Sequence, residues 1–245
     1  MDINNLNFTD NNLTIRGKLF IPQNNISPDT IVILSHGFST NHPVTDSFAK
    51  LIANHGITCY TFDFCGAPHS TSDGDFNDMS VKTEQHNLET VVSGLKNKYH
   101  QIILSGISQG GMVTAMTAAA HPQLFKGLIL LYPAFVIPDD SHRAYPSLDN
   151  LPTHPNIFGR IVSRRYVLDD YDLDINKIQA AYARPVLIIH GTADHVVPYT
   201  YSLLAVKTYP NAKLCTIKGA DHGFSADIKQ ADKAIITFLN KLINN

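Results

Sequence analysis

The sequence predicts an α/β fold in which a mostly parallel central sheet is flanked by helices. Three observations point to it. Short β-branched and aliphatic runs alternate with helical patterns along most of the 245 residues, and such alternation calls for crossover connections and a sheet covered on both faces. A Gly-x-Ser-x-Gly segment, Gly106-Ile107-Ser108-Gln109-Gly110, falls between an apolar run and an alanine-rich helical stretch. Finally, 44% hydrophobic and 16% charged residues describe a globular chain. A chain of this length can bury roughly 70–75% of its unfolded surface without disulfide or metal.

The elements follow in order. Residues 6–9 and 13–21 flank the turn-rich Asp10-Asn11-Asn12 and read as a hairpin. Residues 31–34 form a strand, 48–55 a helix ended by Gly56, and 57–62 the next strand. Ser80 can cap a helix running through Lys98, with Glu84 in its first turns. A strand over 102–105, a helix over 110–120 stopped by Pro122, and a strand over 128–131 complete the first half. Later come a strand over 185–189, a helix over 199–209, a strand over 213–217 and a final amphipathic helix, capped by Ser225, through Ile243. The interval 133–181 lacks a strand pattern but carries prolines 133, 138, 146, 152 and 155 and tyrosines 145, 166 and 171. Prolines stiffen such a segment. It is expected to be an ordered insertion without its own core, sitting as a cap within one domain spanning 1–245.

Charge excludes some functions. Lysine and arginine total 19 against 21 acidic residues, a net charge of −2. That balance offers no electrostatic case for nucleic acid or an anionic membrane. No apolar run reaches the length of a membrane span. The opening Met-Asp-Ile-Asn-Asn-Leu-Asn has neither region of a signal peptide, so a cytoplasmic protein is expected. Cys59, Cys65 and Cys215 lack metal spacing and are expected to be reduced thiols. No metal and no cofactor is expected, and a homodimer is left open.

The chemistry starts at Ser108. A nucleophile on a strand-to-helix turn sits in a strained conformation, and a Cβ two residues to either side would meet neighbouring backbone. A serine hydroxyl needs a base. Beyond Pro185 three histidines remain: His190, His195 and His222. His190 ends a buried strand and reads as a packed core residue, whereas His195 adjoins the best acid and cannot easily fold back onto it. His222, in Gly219-Ala220-Asp221-His222-Gly223, lies on a loop between the last strand and the last helix. It is the expected base. Asp194, on the turn after the preceding strand, is the expected acid, orienting the imidazole and stabilising its charged form. Asp221 competes for that role. The Gln109 amide at the helix N-terminus and the Phe38 amide in His36-Gly37-Phe38-Ser39 are expected to hold an oxyanion, with His36 tying that loop together. Asp169, Asp170, Asp172 and Asp174 are expected on solvated or salt-bridged faces with Arg160, Arg164 and Arg165.

Taken together, His-Gly-Phe, Gly-x-Ser-Gln-Gly-Gly, Gly-Thr-Ala-Asp and Ala-Asp-His-Gly-Phe resemble the serine esterases of the α/β-hydrolase fold over nearly the whole chain. Within them the chain is similar to the small bacterial feruloyl (cinnamoyl) esterases, which carry a short inserted cap after the sixth strand. That resemblance implies a carboxylic ester hydrolase working through an acyl-enzyme on hydroxycinnamate esters, and Asp140 and Tyr166 as contacts to the phenolic ring. The alternatives are a general short-chain carboxylesterase or monoacylglycerol lipase, more remotely a non-catalytic binding protein of the same fold, and a peptidase. Phe62-Asp63-Phe64-Cys65-Gly66 also matches, but Ala67-Pro68 follows where the relatives continue Gly-His-Gly.

Overall fold

The computed structural model describes residues 1–244. Strands β1 (Asp2–Asp10) and β2 (Leu13–Ile21) form the expected hairpin, with Asn11 and Asn12 both at positive φ in its turn. The remaining strands of the main sheet are β3 (Thr30–Ser35), β4 (Thr58–Phe62), β5 (Gln101–Ile107), β6 (Phe125–Leu131), β9 (Val186–Gly191) and β10 (Ala212–Ile217). The small pair β7 (Asn156–Ile157) and β8 (Arg160–Ile161) lies between β6 and β9. Sheet order is β1-β2-β4-β3-β5-β6-β9-β10; β2 runs antiparallel to β1 and β4, and every later pairing in the sheet is parallel.

The strands read as continuous apolar runs because both faces are covered. Side chains alternate between faces, so Ile31 and Ile33 pack with helices α2 (Val81–Leu95) and α3 (Gln109–Ala120), while Val32 and Leu34 pack with α1 (Pro43–Asn54) and α8 (Ile228–Ile243). Helix α7 (Thr200–Thr208) adds Ala205 to the first layer. All five parallel crossovers deliver their loops to one end of the sheet, above the C-terminal ends of β3, β5, β6 and β9, where ligands bind in open α/β sheets.

Several boundaries differ from expectation. Helix α1 begins earlier, at Pro43, whose fixed φ suits a first helical position. Helix α2 stops at Leu95; the Lys98 and Tyr99 amides both turn back to the Leu95 carbonyl, and Tyr99 is buried. Ser225 is not the cap of α8. Its amide and hydroxyl both donate to Asp221, and Asp227 instead accepts from the Gln230 amide. Between β6 and β9 lie α4 (Ile137–Ala144), the β7–β8 hairpin, α5 (Arg164–Asp170) and α6 (Ile175–Ala180). The expectation of no strand and no core in that interval fails on both counts. Besides the hairpin, Leu151, Val162, Tyr166 and Val167 form an apolar cluster with Met79, and Phe38 and Phe76 pack against it.

Candidate active site

Ser108 occupies the turn from β5 into α3 with φ 52° and ψ −122°. A left-handed conformation of this kind costs about 1–3 kcal/mol and persists only when its surroundings fix it. Here the Ser108 amide donates to the Leu131 carbonyl at 3.0 Å, and the Ser108 carbonyl accepts from the amides of Gly111 and Ala134, each at 2.9 Å. A Cβ on Gly106 would overlap the Gly110 carbonyl, and one on Gly110 would overlap the His36 carbonyl. Both neighbours are backbone and cannot move aside.

The loop after β9 brings Asp194 under the same site. Its Oδ1 accepts the amides of Val196 and Val197 at 2.8 and 2.9 Å; its Oδ2 faces His222 Nδ1 at 2.7 Å and His190 Nε2 at 3.1 Å. Burial alone would raise the carboxyl's pKa, but hydrogen bonds from both histidines and the Val197 amide outweigh it and hold Asp194 well below the usual carboxylate range. The loop after β10 supplies His222. With Nδ1 donating to Asp194, its Nε2 lone pair faces Ser108 Oγ at 3.1 Å. Tyr132 packs its ring against the imidazole at a centroid separation of 4.3 Å.

Other candidates fall elsewhere. His195 is exposed, and Asp221 serves Ser225. His190 is packed in the core, as its strand-end position implies, yet it also touches Asp194. Its Nε2 faces two acceptors, Asp194 and the Val197 carbonyl, so it carries the proton there and Nδ1 accepts from the Ser202 hydroxyl. This contact was missed from sequence, although the i, i+4 spacing of His190 and Asp194 is its trace. His36 is fully buried. Its Nδ1 donates to the Gly37 carbonyl at 2.9 Å and its Nε2 accepts the Phe64 amide at 3.0 Å, so it ties the β3 loop to the β4 loop. Burial depresses its pKa to about 4.

A cavity of about 430 Å³ opens over Ser108 and His222. Gly37, Phe38 and Gln109 border it, and among the described residues neither the Phe38 nor the Gln109 amide donates to another protein group. Its walls are mostly apolar, including Ile107, Val136 and Ile137, with Asp140 and Arg160 as its charged members. Asp140 pairs with Arg143 at 2.5 Å. Phe158, at the hairpin tip, is 71% exposed and lines the mouth. Tyr166 also lines it, and its hydroxyl is already engaged, donating to Gln109 Oε1 at 2.5 Å. None of residues 63–69 lines the cavity, so the departure at Ala67-Pro68 lies outside it.

The aspartates of the cap do not share one solvated face. Asp169 accepts from Ser80 Oγ, Arg165 and Lys82, and Asp174 caps α6. Asp170, by contrast, is fully buried, because Tyr166, Val167 and Asp170 form the inward stripe of α5. Arg160 lines the cavity and pairs with none of these acids.

Comparison with known proteins agrees with this architecture. Residues 26–176 match the family described as serine aminopeptidase, S33, and residues 170–242 match one described as TAP-like protein. Est1E from Butyrivibrio proteoclasticus, solved with ferulic acid bound, is similar with a TM-score of 0.91 and 27% identity, covering 98% of this chain and 100% of that one. The monoglyceride lipase of Rattus norvegicus is 22% identical across 89% of this chain and 84% of its own length. Alpha/beta hydrolase domain-containing protein 10 from mouse shares the fold with a TM-score of 0.79 at 19% identity, covering 99% of this chain and 100% of that one. The chain belongs to the serine aminopeptidase, S33 family and is a hydrolytic enzyme of the α/β-hydrolase fold.

Proposed function

We propose that the protein is a serine carboxylesterase in which Ser108, His222 and Asp194 form the catalytic triad and the Phe38 and Gln109 amides the oxyanion hole. The observation that carries this reading is the continuous contact Ser108–His222–Asp194, 3.1 and 2.7 Å, at the floor of a cavity. Ser108 Oγ attacks the ester carbonyl and His222 Nε2 takes its proton. The carbonyl oxygen becomes the oxyanion and accepts from the two free amides. The tetrahedral intermediate collapses, the alkoxide leaves with the proton from His222, and the acyl group stays on Ser108. Water then attacks with His222 again as base, releasing the acid and restoring the serine.

For the acyl group, a hydroxycinnamate of the feruloyl type is the preferred substrate. Ferulic acid is the ligand named for the similar Est1E structure, and the cavity has aromatic walls from Phe38, Tyr132, Phe158 and Tyr166 with a charged group, Asp140, among them. Asp140 is the available contact for the phenolic end, and Tyr166 meets the ring with its own ring. A monoacylglycerol lipase is the second reading, favoured by the predominantly apolar lining and by relatives bearing that name. The test is the ratio of kcat/KM for methyl ferulate to that for a butyrate ester. A ratio well above one supports the aromatic pocket, and a ratio well below one replaces it with a lipid or short-chain specificity. Turnover of neither ester, with no fluorophosphonate adduct on Ser108, refutes the esterase reading itself.

A further inference from the structure

The side chain of Gln109 lies outside the reaction just described, which uses only its backbone amide. That side chain is buried between two others. Its Nε2 donates to Glu84 Oε2 at 2.8 Å, and its Oε1 accepts the Tyr166 hydroxyl at 2.5 Å. Glu84 stands in the first turns of α2, behind the elbow, and is buried. No cation pairs with it among the described residues. Burial raises its pKa to about 8, against the pull of the Gln109 hydrogen bond. A polar group kept at such a cost in an apolar layer is unexpected for packing alone, since an apolar side chain of the same volume is often as stable or more so.

We infer that Glu84 is a positioning residue for the oxyanion pocket: holding the Gln109 side chain from below, it fixes the Gln109 N–H at the elbow and seats Tyr166 of the cap beside it. The inference rests on the reading of Ser108 as nucleophile and adds to it. Gln109 is the first residue of α3, where no intrahelical bond restrains the amide. That N–H shares a peptide plane with the Ser108 carbonyl, which the Gly111 and Ala134 amides already hold; the side-chain anchor restrains the same residue from its other end, and donors of this kind act through fixed orientation. Because Tyr166 grips the other end of the same amide group, the acyl wall and the oxyanion donor share one anchor. The ties run in parallel with the contacts of Ser80 and Lys82 to Asp169, which bind the start of α2 to α5.

The experiment compares Glu84→Gln, which can still accept from Gln109 Nε2, with Glu84→Met, which fills the space without an acceptor. The 245-residue chain is assayed with 4-nitrophenyl butyrate, and each variant's thermal midpoint is recorded. Glu84→Gln is expected to keep kcat within about threefold of the parent, while Glu84→Met lowers kcat by about 10- to 30-fold with KM changed less than about twofold. Equal kcat in the two variants, or a loss confined to KM, overturns the inference. Should Glu84→Met fail to fold, Gln109→Met serves instead. It retains the amide but removes both side-chain bonds, and a parental kcat in that variant likewise overturns it. Fluorophosphonate labelling separates the two claims. A parent protein that is not labelled at Ser108 refutes the nucleophile and Glu84's role together, whereas a labelled parent with indifferent Glu84 variants refutes only the latter.

Discussion

Replacing Asp170 by asparagine is expected to stabilise the protein, and to do so more at pH 8 than at pH 5. Asp170 is fully buried on α5, and neither carboxylate oxygen reaches a hydrogen-bond partner. Burial is the main cause that lifts its pKa from 3.8 to about 7, and the charges of Asp169 and Asp140 push the same way; the Ser141 hydroxyl, close by but outside hydrogen-bond geometry, and the Lys82 charge oppose. The folded chain thus binds a proton more tightly than the unfolded one. Below pH about 4 both states are protonated and the group is neutral to stability. As pH rises, the unfolded chain ionises first, so stability falls until the folded carboxyl also ionises near pH 7. At about 1.4 kcal/mol per unit, three units amount to ~4 kcal/mol at pH 8 and ~1.5 kcal/mol at pH 5. Local relaxation and water entry remove about half of such figures. The asparagine variant should then gain ~2 kcal/mol at pH 8, a rise of about 4–8 °C in Tm for a chain this size, and under half of that at pH 5. Thermal unfolding followed by circular dichroism at the two pH values measures both. An equal gain at pH 5 and pH 8, or none at pH 8, refutes the assignment of Asp170 as a buried group that ionises at a cost.

Further outcomes are expected at the site itself. Ser108→Ala should lower kcat by roughly 10³–10⁶-fold and abolish fluorophosphonate labelling while a non-reactive ester analogue still binds. Asp194→Asn should lower kcat on the order of 10⁴-fold, because an amide oriented by the Val196 and Val197 N–H groups can leave His222 in the wrong tautomer; a pH-rate profile and labelling rate follow it. Gly110→Ala should cost at least about 3 kcal/mol, since its Cβ meets the fixed His36 carbonyl. Gly223→Ala, with nothing within 4 Å of the added carbon, is the control whose Tm should move little.

The strand and helix order was legible because both signals are local. Apolar runs long enough for a strand and no longer, punctuated by Gly56 and Pro122, mark where the chain must turn. The elbow was legible for a steric reason, as Gly106 and Gly110 are demanded by backbone that approaches them. The separation of His36, His190 and His222 followed from where each lies relative to a strand end. What escaped was set by side chains meeting across elements distant in sequence. Glu84 reads as an ordinary residue in the first turns of a helix, and nothing local announces that Gln109 and Tyr166 lie beside it. Asp170 reads as one of four acids on a polar stretch; only the inward stripe of α5 separates it from Asp169. Ser225 carried a cap residue's chemistry, but Asp221 took its donors first. That the Tyr166 hydroxyl is taken by Gln109 could not be read from its position in the chain.

The cap is contiguous in sequence but its footing is not. Met79, Ser80 and Lys82, which touch it, precede its first residue by roughly fifty positions, and Gln109, which takes the Tyr166 hydroxyl and is itself held by Glu84, opens helix α3. A graft of residues 133–181 from a relative would therefore carry new walls onto an unmatched floor. An exchange of residues 133–181 without the start of α2 has to break the contacts of Met79, Ser80 and Lys82 on which both segments depend.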